Sequence, residues 1–104
     1  MNPIDIDIHS LSEADLKKYK LIDIREESEL LDWPCLVACP HVPMSGFPQN
    51  MDRFNKKDQY LIFCAKGGRS HHLAEILTGE GYKAFSVNNG ITSVNAYLKD
   101  HARI

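Results

Sequence analysis

The chain has 104 residues, 43% hydrophobic and 25% charged, with a formal net charge of -2 and a pI near 6.2. Its length suits a single domain, residues 1-104, within the usual roughly 100 to 200 residues, and its balance excludes disordered, collagenous and fibrous classes. The slight negative charge offers no global attraction to nucleic acid or anionic lipid, and no apolar run approaches the ~18 residues of a membrane span, so neither partner is expected.

Met1 to Asp5 lacks the charged and apolar regions of a secretory signal, which makes a cytoplasmic location the expectation. Ile4, Ile6 and Ile8 alternate with Asp5, Asp7 and His9, the period of an edge strand with one wet face. Ser12, three residues before Asp15, opens a short helix over 13–18 with acids first and cations last. A second strand is expected over 21–24 and a helix over 26–31, which must stop before Pro34. From Trp33 to Pro48 four prolines impose a loop, with room for one short strand near Leu36-Val37 or His41-Val42. Residues 47–54 suit a helical turn or two, with Met51 and Phe54 on one face.

Tyr60-Leu61-Ile62-Phe63 is a continuous apolar run, the pattern of a central strand buried on both faces. Leu73, Ile76 and Leu77 then mark an amphipathic helix over 70–80 that Gly79 or Gly81 closes. Ala84 to Val87 is the next strand, and Ile91, Val94 and Leu98 stripe the last helix. Strands alternating with helices predict a parallel sheet covered on both sides.

Chemistry concentrates in Cys64-Ala65-Lys66-Gly67-Gly68-Arg69-Ser70, between the central strand and the next helix. Ligands of open parallel sheets bind beyond the carboxyl ends of strands. Two glycines let successive amides face one concavity, while the helix start, Lys66 and Arg69 supply positive charge; together these lower the pKa of a cysteine and make it nucleophilic. The order of residues does not fit a nucleotide P-loop, which needs lysine directly after its second glycine. Adjacent His71 and His72 point about 100° apart on a helix, so no metal is expected at the loop, and no cofactor. Four residues separate Cys64 from Arg69, one fewer than in the C-x5-R loop of cysteine-dependent phosphatases, and the smaller cavity suits a terminal sulfur better than a phosphate.

The chain resembles a single-domain rhodanese. Cys64 to Ser70 is similar to that family's six-residue active-site loop, and Leu21-Ile22-Asp23-Ile24-Arg25-Glu26-Glu27-Ser28-Glu29 to its L-[IV]-D-[VI]-R-x-x-x-E segment. Glu75-Ile76-Leu77 with Gly81-Tyr82, and Asn89-Gly90-Ile91, resemble the exit of one family helix and the opening of its last. Residues 33 to 43 depart from the family's G-H-I-P-G-A pattern, keeping only Val42-Pro43, and the usual tryptophan of the last helix is replaced near Val94.

The resemblance implies a three-layer α/β/α rhodanese-like fold with a mainly parallel sheet of about five strands. It implies sulfur transfer through a persulfide on Cys64, from thiosulfate or another small anionic donor to cyanide, a thiol or a protein acceptor. Cys64 would be catalytic, with Ala65, Lys66, Gly67, Gly68, Arg69 and Ser70 binding the donor. Two alternatives stand beside it, a sulfur-relay or protein-binding module with little turnover and, behind that, a phosphatase or arsenate reductase.

Asp23 and Arg25 read as structural, Asp23 capping a turn and Arg25 pairing with Glu29 at i,i+4. Cys35 and Cys39 are surplus thiols; one reaching Cys64, or a Cys35/Cys39/His41 metal site, is the sharper reading, and two ordinary loop thiols the plainer one.

Overall fold

The structure, a computed structural model, describes residues 4–35 and 39–100. In chain order it contains β1 (Asp5–Ile6), α1 (Glu13–Leu16), β2 (Lys20–Asp23), α2 (Glu27–Asp32), β3 (Gln59–Phe63), α3 (Gly68–Gly79), β4 (Lys83–Val87) and α4 (Ile91–Asp100). Short 3-10 turns lie at Ile8–Ser10, Met44–Gly46 and Gln49–Arg53. The four strands form one sheet in the order β1-β4-β3-β2, and all its neighbours are parallel.

Alternation along β3 divides the core. Tyr60, Ile62 and Cys64 face the layer containing Leu73, Ala74 and Leu77 of α3, whereas Leu61 and Phe63 face Leu16 of α1 and Ile91, Val94, Tyr97 and Leu98 of α4. Side chains of successive strand residues point to opposite faces, so a strand apolar at every position must be covered on both. The result is the expected three-layer α/β/α fold, with β3 in the interior of the sheet.

Among the described residues the sheet has four strands where about five were expected. The region near His41 contributes a single parallel bridge to Asp23 instead of a strand, held by Asp23 N-H donating to Pro40 O and Val42 N-H donating to Asp23 O. Prolines at 40 and 43 lack the amide hydrogens a longer ladder would need. The other candidate, Leu36-Val37, lies outside the described residues. The first strand is also shorter than its alternation suggests. Asp7 accepts from His9 N-H at 3.0 Å and turns the chain, which buries Ile8 from a 3-10 turn.

Ser12 caps α1 by accepting from Asp15 N-H, and Glu26 and Glu29 form a reciprocal capping box on α2. At the end of α3, Gly81 N-H donates to Thr78 O and Tyr82 N-H to Leu77 O, which closes the helix where glycine was expected to end it. No helix among the described residues is long and apolar enough to cross a membrane.

Candidate active site

Cys64 directly follows β3, on the face that α3 covers, and is 1% exposed. The chain reverses within three residues because Gly67, the N-cap of α3, takes φ +106°, a region that side chains disfavour. This turn aims amides at the sulfur. Gly67 N-H donates to Cys64 Sγ at 3.1 Å and Ser70 N-H at 3.4 Å. Ser70 Oγ lies 3.4 Å from the same sulfur and 2.6 Å from Ser86 Oγ on β4, so two buried hydroxyls sit behind the nucleophile.

Burial raises the pKa of Cys64, but hydrogen bonds from the Ser70 hydroxyl and from the Ser70, Gly67 and Lys66 amides together outweigh it. The thiol is held below its ordinary 9.0.

The far side of the loop is fixed by α4. Gly90 has φ +62°, and a Cβ there would overlap the carbonyls of Cys64 and Ala65. Ile91 N-H donates to Cys64 O at 2.9 Å, so the start of the last helix is bonded to the backbone of the nucleophile itself.

The structure redistributes the charges near the loop. Arg69 does not stand open in the mouth of the site; its two terminal nitrogens each bond a carboxylate oxygen of Glu29 at 2.7 Å. That bond, with a smaller contribution from the Glu26 amide, holds the Glu29 carboxyl down at about 2 and pushes the Arg69 guanidinium up. The i,i+4 pairing of Arg25 with Glu29 is therefore incorrect. Arg25 is 1% exposed and turns inward to Asp23, with Nη2 to Oδ2 at 2.8 Å, while Nη1 donates to Trp33 O at 2.6 Å. A buried guanidinium needs a buried carboxylate, and Asp23 at the strand end supplies one, whereas Glu29 looks outward toward α3. Asp23 Oδ1 also accepts from Arg25 N-H at 3.0 Å, the turn-capping role read from sequence.

Lys66 is exposed and lines an open pocket of about 460 Å³ with Trp33, Ala65, Asn89 and Thr92. Gly68 is exposed at the first position of α3. His71 faces away from the sulfur. Its Nδ1 lies 2.9 Å from Asp5 and its Nε2 3.3 Å from Glu75, and its pKa is raised, chiefly by the hydrogen bond to Asp5. His72 is exposed.

Cys35 and Cys39 meet each other and not Cys64. Their sulfurs are 3.8 Å apart and pack against the α4 side of the sheet, opposite Cys64. His41 Nε2 is engaged by Arg25 O at 2.6 Å, and among the described residues no group of three metal-ligating side chains is assembled.

Over 79 residues, 76% of this chain and 75% of the other, the sequence is 32% identical to "Putative sulfurtransferase YtwF" of Bacillus subtilis (strain 168). A rhodanese-related protein from Thermoplasma volcanium is similar in structure, with TM-score 0.71, 26% identity and 93% of each chain covered. A rhodanese-like domain protein from Staphylococcus aureus gives TM-score 0.68 and 28% identity, covering 90% of this chain and 91% of that one. The chain belongs to the rhodanese-like sulfurtransferase family. No protein-family model matches it.

Sequence reasoning missed three contributors to this rhodanese-like site. Glu29 anchors Arg69 from 40 positions away, and nothing local announces such a contact. Ser86 backs Ser70, and its signal was a lone hydroxyl inside an apolar strand. Trp33 walls the pocket from a segment where family likeness is weakest.

Proposed function

We propose that this rhodanese-like chain carries a sulfane sulfur on Cys64, taken from thiosulfate or a similar small anion and passed to cyanide, a thiol or a protein acceptor. The Cys64 thiolate attacks the outer sulfur of the donor; the sulfur–sulfur bond of thiosulfate breaks, its electron pair leaves with sulfite, and a persulfide remains on Cys64. The acceptor thiolate then attacks the terminal sulfur and regenerates the Cys64 thiolate. No base is needed at either step, since the attacking sulfur is already ionised.

The observation that carries this reading is the enclosure of Cys64 Sγ by the Gly67 and Ser70 amides and the Ser70 hydroxyl. The two amides favour the anionic sulfur before attack and the anionic persulfide after it, and the hydroxyl, which accepts from the Cys64 thiol, turns its own hydrogen to the sulfur once that is ionised. Lys66 stands at the mouth of the pocket to attract the donor. Arg69 acts on the site through position and charge, with one hydrogen of each terminal nitrogen given to Glu29. That engagement also weighs against the phosphatase alternative, in which the loop arginine must turn inward and grip the transferred phosphate.

Intact-mass measurement after incubation with thiosulfate tests the proposal. One added sulfur is expected, lost on addition of cyanide and absent from Cys64→Ser. A wild-type chain that gains no sulfur, or a Cys64→Ser chain that does, overturns it.

Leu31 and Trp33, 85% and 51% exposed, favour a second reading in which a protein supplies or receives the sulfur. It predicts slow turnover with thiosulfate and faster loading from a persulfide-bearing protein, slowed by Trp33→Ala. Loading rates unchanged by that substitution exclude it.

A further inference from the structure

The sulfurtransfer reading leaves two of the three cysteines without a role, and they are not scattered. Cys35 and Cys39 are both half-buried, with their sulfurs 3.8 Å apart. They lie on the α4 side of the sheet, against the layer of Leu61 and Phe63, whereas Cys64 belongs to the α3 side. The hydrogen bonds to Cys64 Sγ come from its own loop and α3.

The backbone around the pair is tied down at both ends. Trp33 O accepts from Arg25 and Pro34 O from Asn95 of α4 on one side; on the other, Pro40 O accepts from Asp23 N-H. Thiols held between two anchored ends need little chain search to meet, which raises their effective concentration toward each other. A disulfide has a sulfur–sulfur length near 2.05 Å, so closure asks for about 1.8 Å of further approach, within reach of side-chain rotation and a small backbone adjustment.

We propose that Cys35 and Cys39 form a reversible dithiol–disulfide centre, separate from the sulfur-carrying Cys64, that exchanges with small disulfides such as glutathione disulfide. In the first step the Cys35 thiolate attacks one glutathione sulfur; a Cys35–glutathione bond forms and one glutathione thiolate leaves. Cys39 then gives up its proton to the released glutathione thiolate and attacks Cys35 Sγ, the Cys35–glutathione bond breaks as the intramolecular disulfide forms, and the second glutathione leaves as a thiolate that takes a proton from water. Two thiols are oxidised and one glutathione disulfide is reduced to two thiols. The sulfurs share a weak S-H···S hydrogen bond at 3.8 Å, so the second thiol already stands beside the sulfur it attacks. The Cys39 thiol is pushed far up by that hydrogen bond and by burial, and the negative charge on Cys35 that adds to the effect disappears once Cys35 enters the mixed disulfide.

The sequence makes the test clean. Trypsin leaves both cysteines in one peptide, 26–53, and Cys64 in another, 58–66. Wild type and Cys64→Ser are equilibrated in glutathione redox buffers, quenched with acid, alkylated, digested and mapped by mass. The expected product in both proteins is peptide 26–53 lighter by two hydrogens and closed to alkylation, restored by a dithiol reductant. The fluorescence of Trp33, the single tryptophan, should change with the same midpoint in wild type and stay constant in the double variant Cys35→Ala/Cys39→Ala. Peptide 26–53 carrying glutathione or alkyl groups on either cysteine across the whole buffer range, or cross-linked to 58–66, overturns the proposal. Cys64→Ser cannot carry sulfur, so its mapping result stands or falls independently of the sulfurtransfer reading.

Discussion

Glu29→Gln changes one charge and little else at the edge of the loop. Glutamine keeps the side-chain oxygen that accepts from Glu26 N-H at 2.9 Å, so the cap of α2 survives, but Arg69 loses a carboxylate that met both its terminal nitrogens at 2.7 Å. The carboxyl of Glu29 is lowered from 4.5 to about 2, chiefly by Arg69, a difference worth about 3 kcal/mol in the absence of solvent screening. Both side chains still meet water, at 30% and 39% exposure, and solvent screening reduces the contribution to about 1 kcal/mol. The sign is that of a lowered carboxylate: the stabilisation is fully present above pH 4.5 and drains away as pH falls toward 2. Urea denaturation of wild type and variant at pH 7 should show the variant weaker by about 1 kcal/mol, and at pH 3 the gap should shrink to about half or less. Equal stabilities at pH 7, or a gap that persists undiminished at pH 3, would refute the assignment of Arg69 to Glu29.

Ser70→Ala removes the hydroxyl that supports the anionic form of Cys64, so the pKa of that thiol should rise toward its ordinary value. Alkylation of peptide 58–66 near neutral pH should slow about tenfold, the worth of one charge-assisted hydrogen bond, and an unchanged pH profile would refute the role given to Ser70. Gly90→Ala forces a side chain against the carbonyls of Cys64 and Ala65 and into a left-handed conformation. A loss of about 2–3 kcal/mol is expected in urea denaturation, and a variant as stable as wild type would show that the loop and α4 are less closely joined than described.

Features that depend on neighbouring residues were the legible ones. The run Tyr60 to Phe63 announced an interior strand because burial on both faces leaves no polar position, and Leu73 and Leu77 announced the helix that covers it. Cys64, Gly67 and Ser70 lie within one turn of chain, so their meeting around the sulfur required only the strand–loop–helix order. Features set by one side chain's choice of partner, or by the meeting of distant segments, were not legible. The isoleucine alternation at 4–8 carries no information about where Asp7 ends the strand, since the bend is closed by hydrogen bonds that His9 and Ser10 donate back to Asp7. Arg25 had two acids within reach in sequence, and the choice between them was made by burial, which puts Asp23 inside and leaves Glu29 to face Arg69. The partnership of Cys35 with Cys39 depended on both side chains packing against the same face of the sheet.

The bond from Ile91 N-H to the carbonyl of Cys64 gives the site a place in time as well as in space. A buried carbonyl deprived of its donor costs about 1–3 kcal/mol, so the main chain of the loop is settled only after α4 has docked. On a ribosome, residue 64 is made well before residue 91, and for that interval Cys64 is a thiol on an unfinished loop. A helix synthesised after the loop, α4, is also the one that completes the frame of the sulfur, which delays the finished nucleophile until that part of the core is there to enclose it.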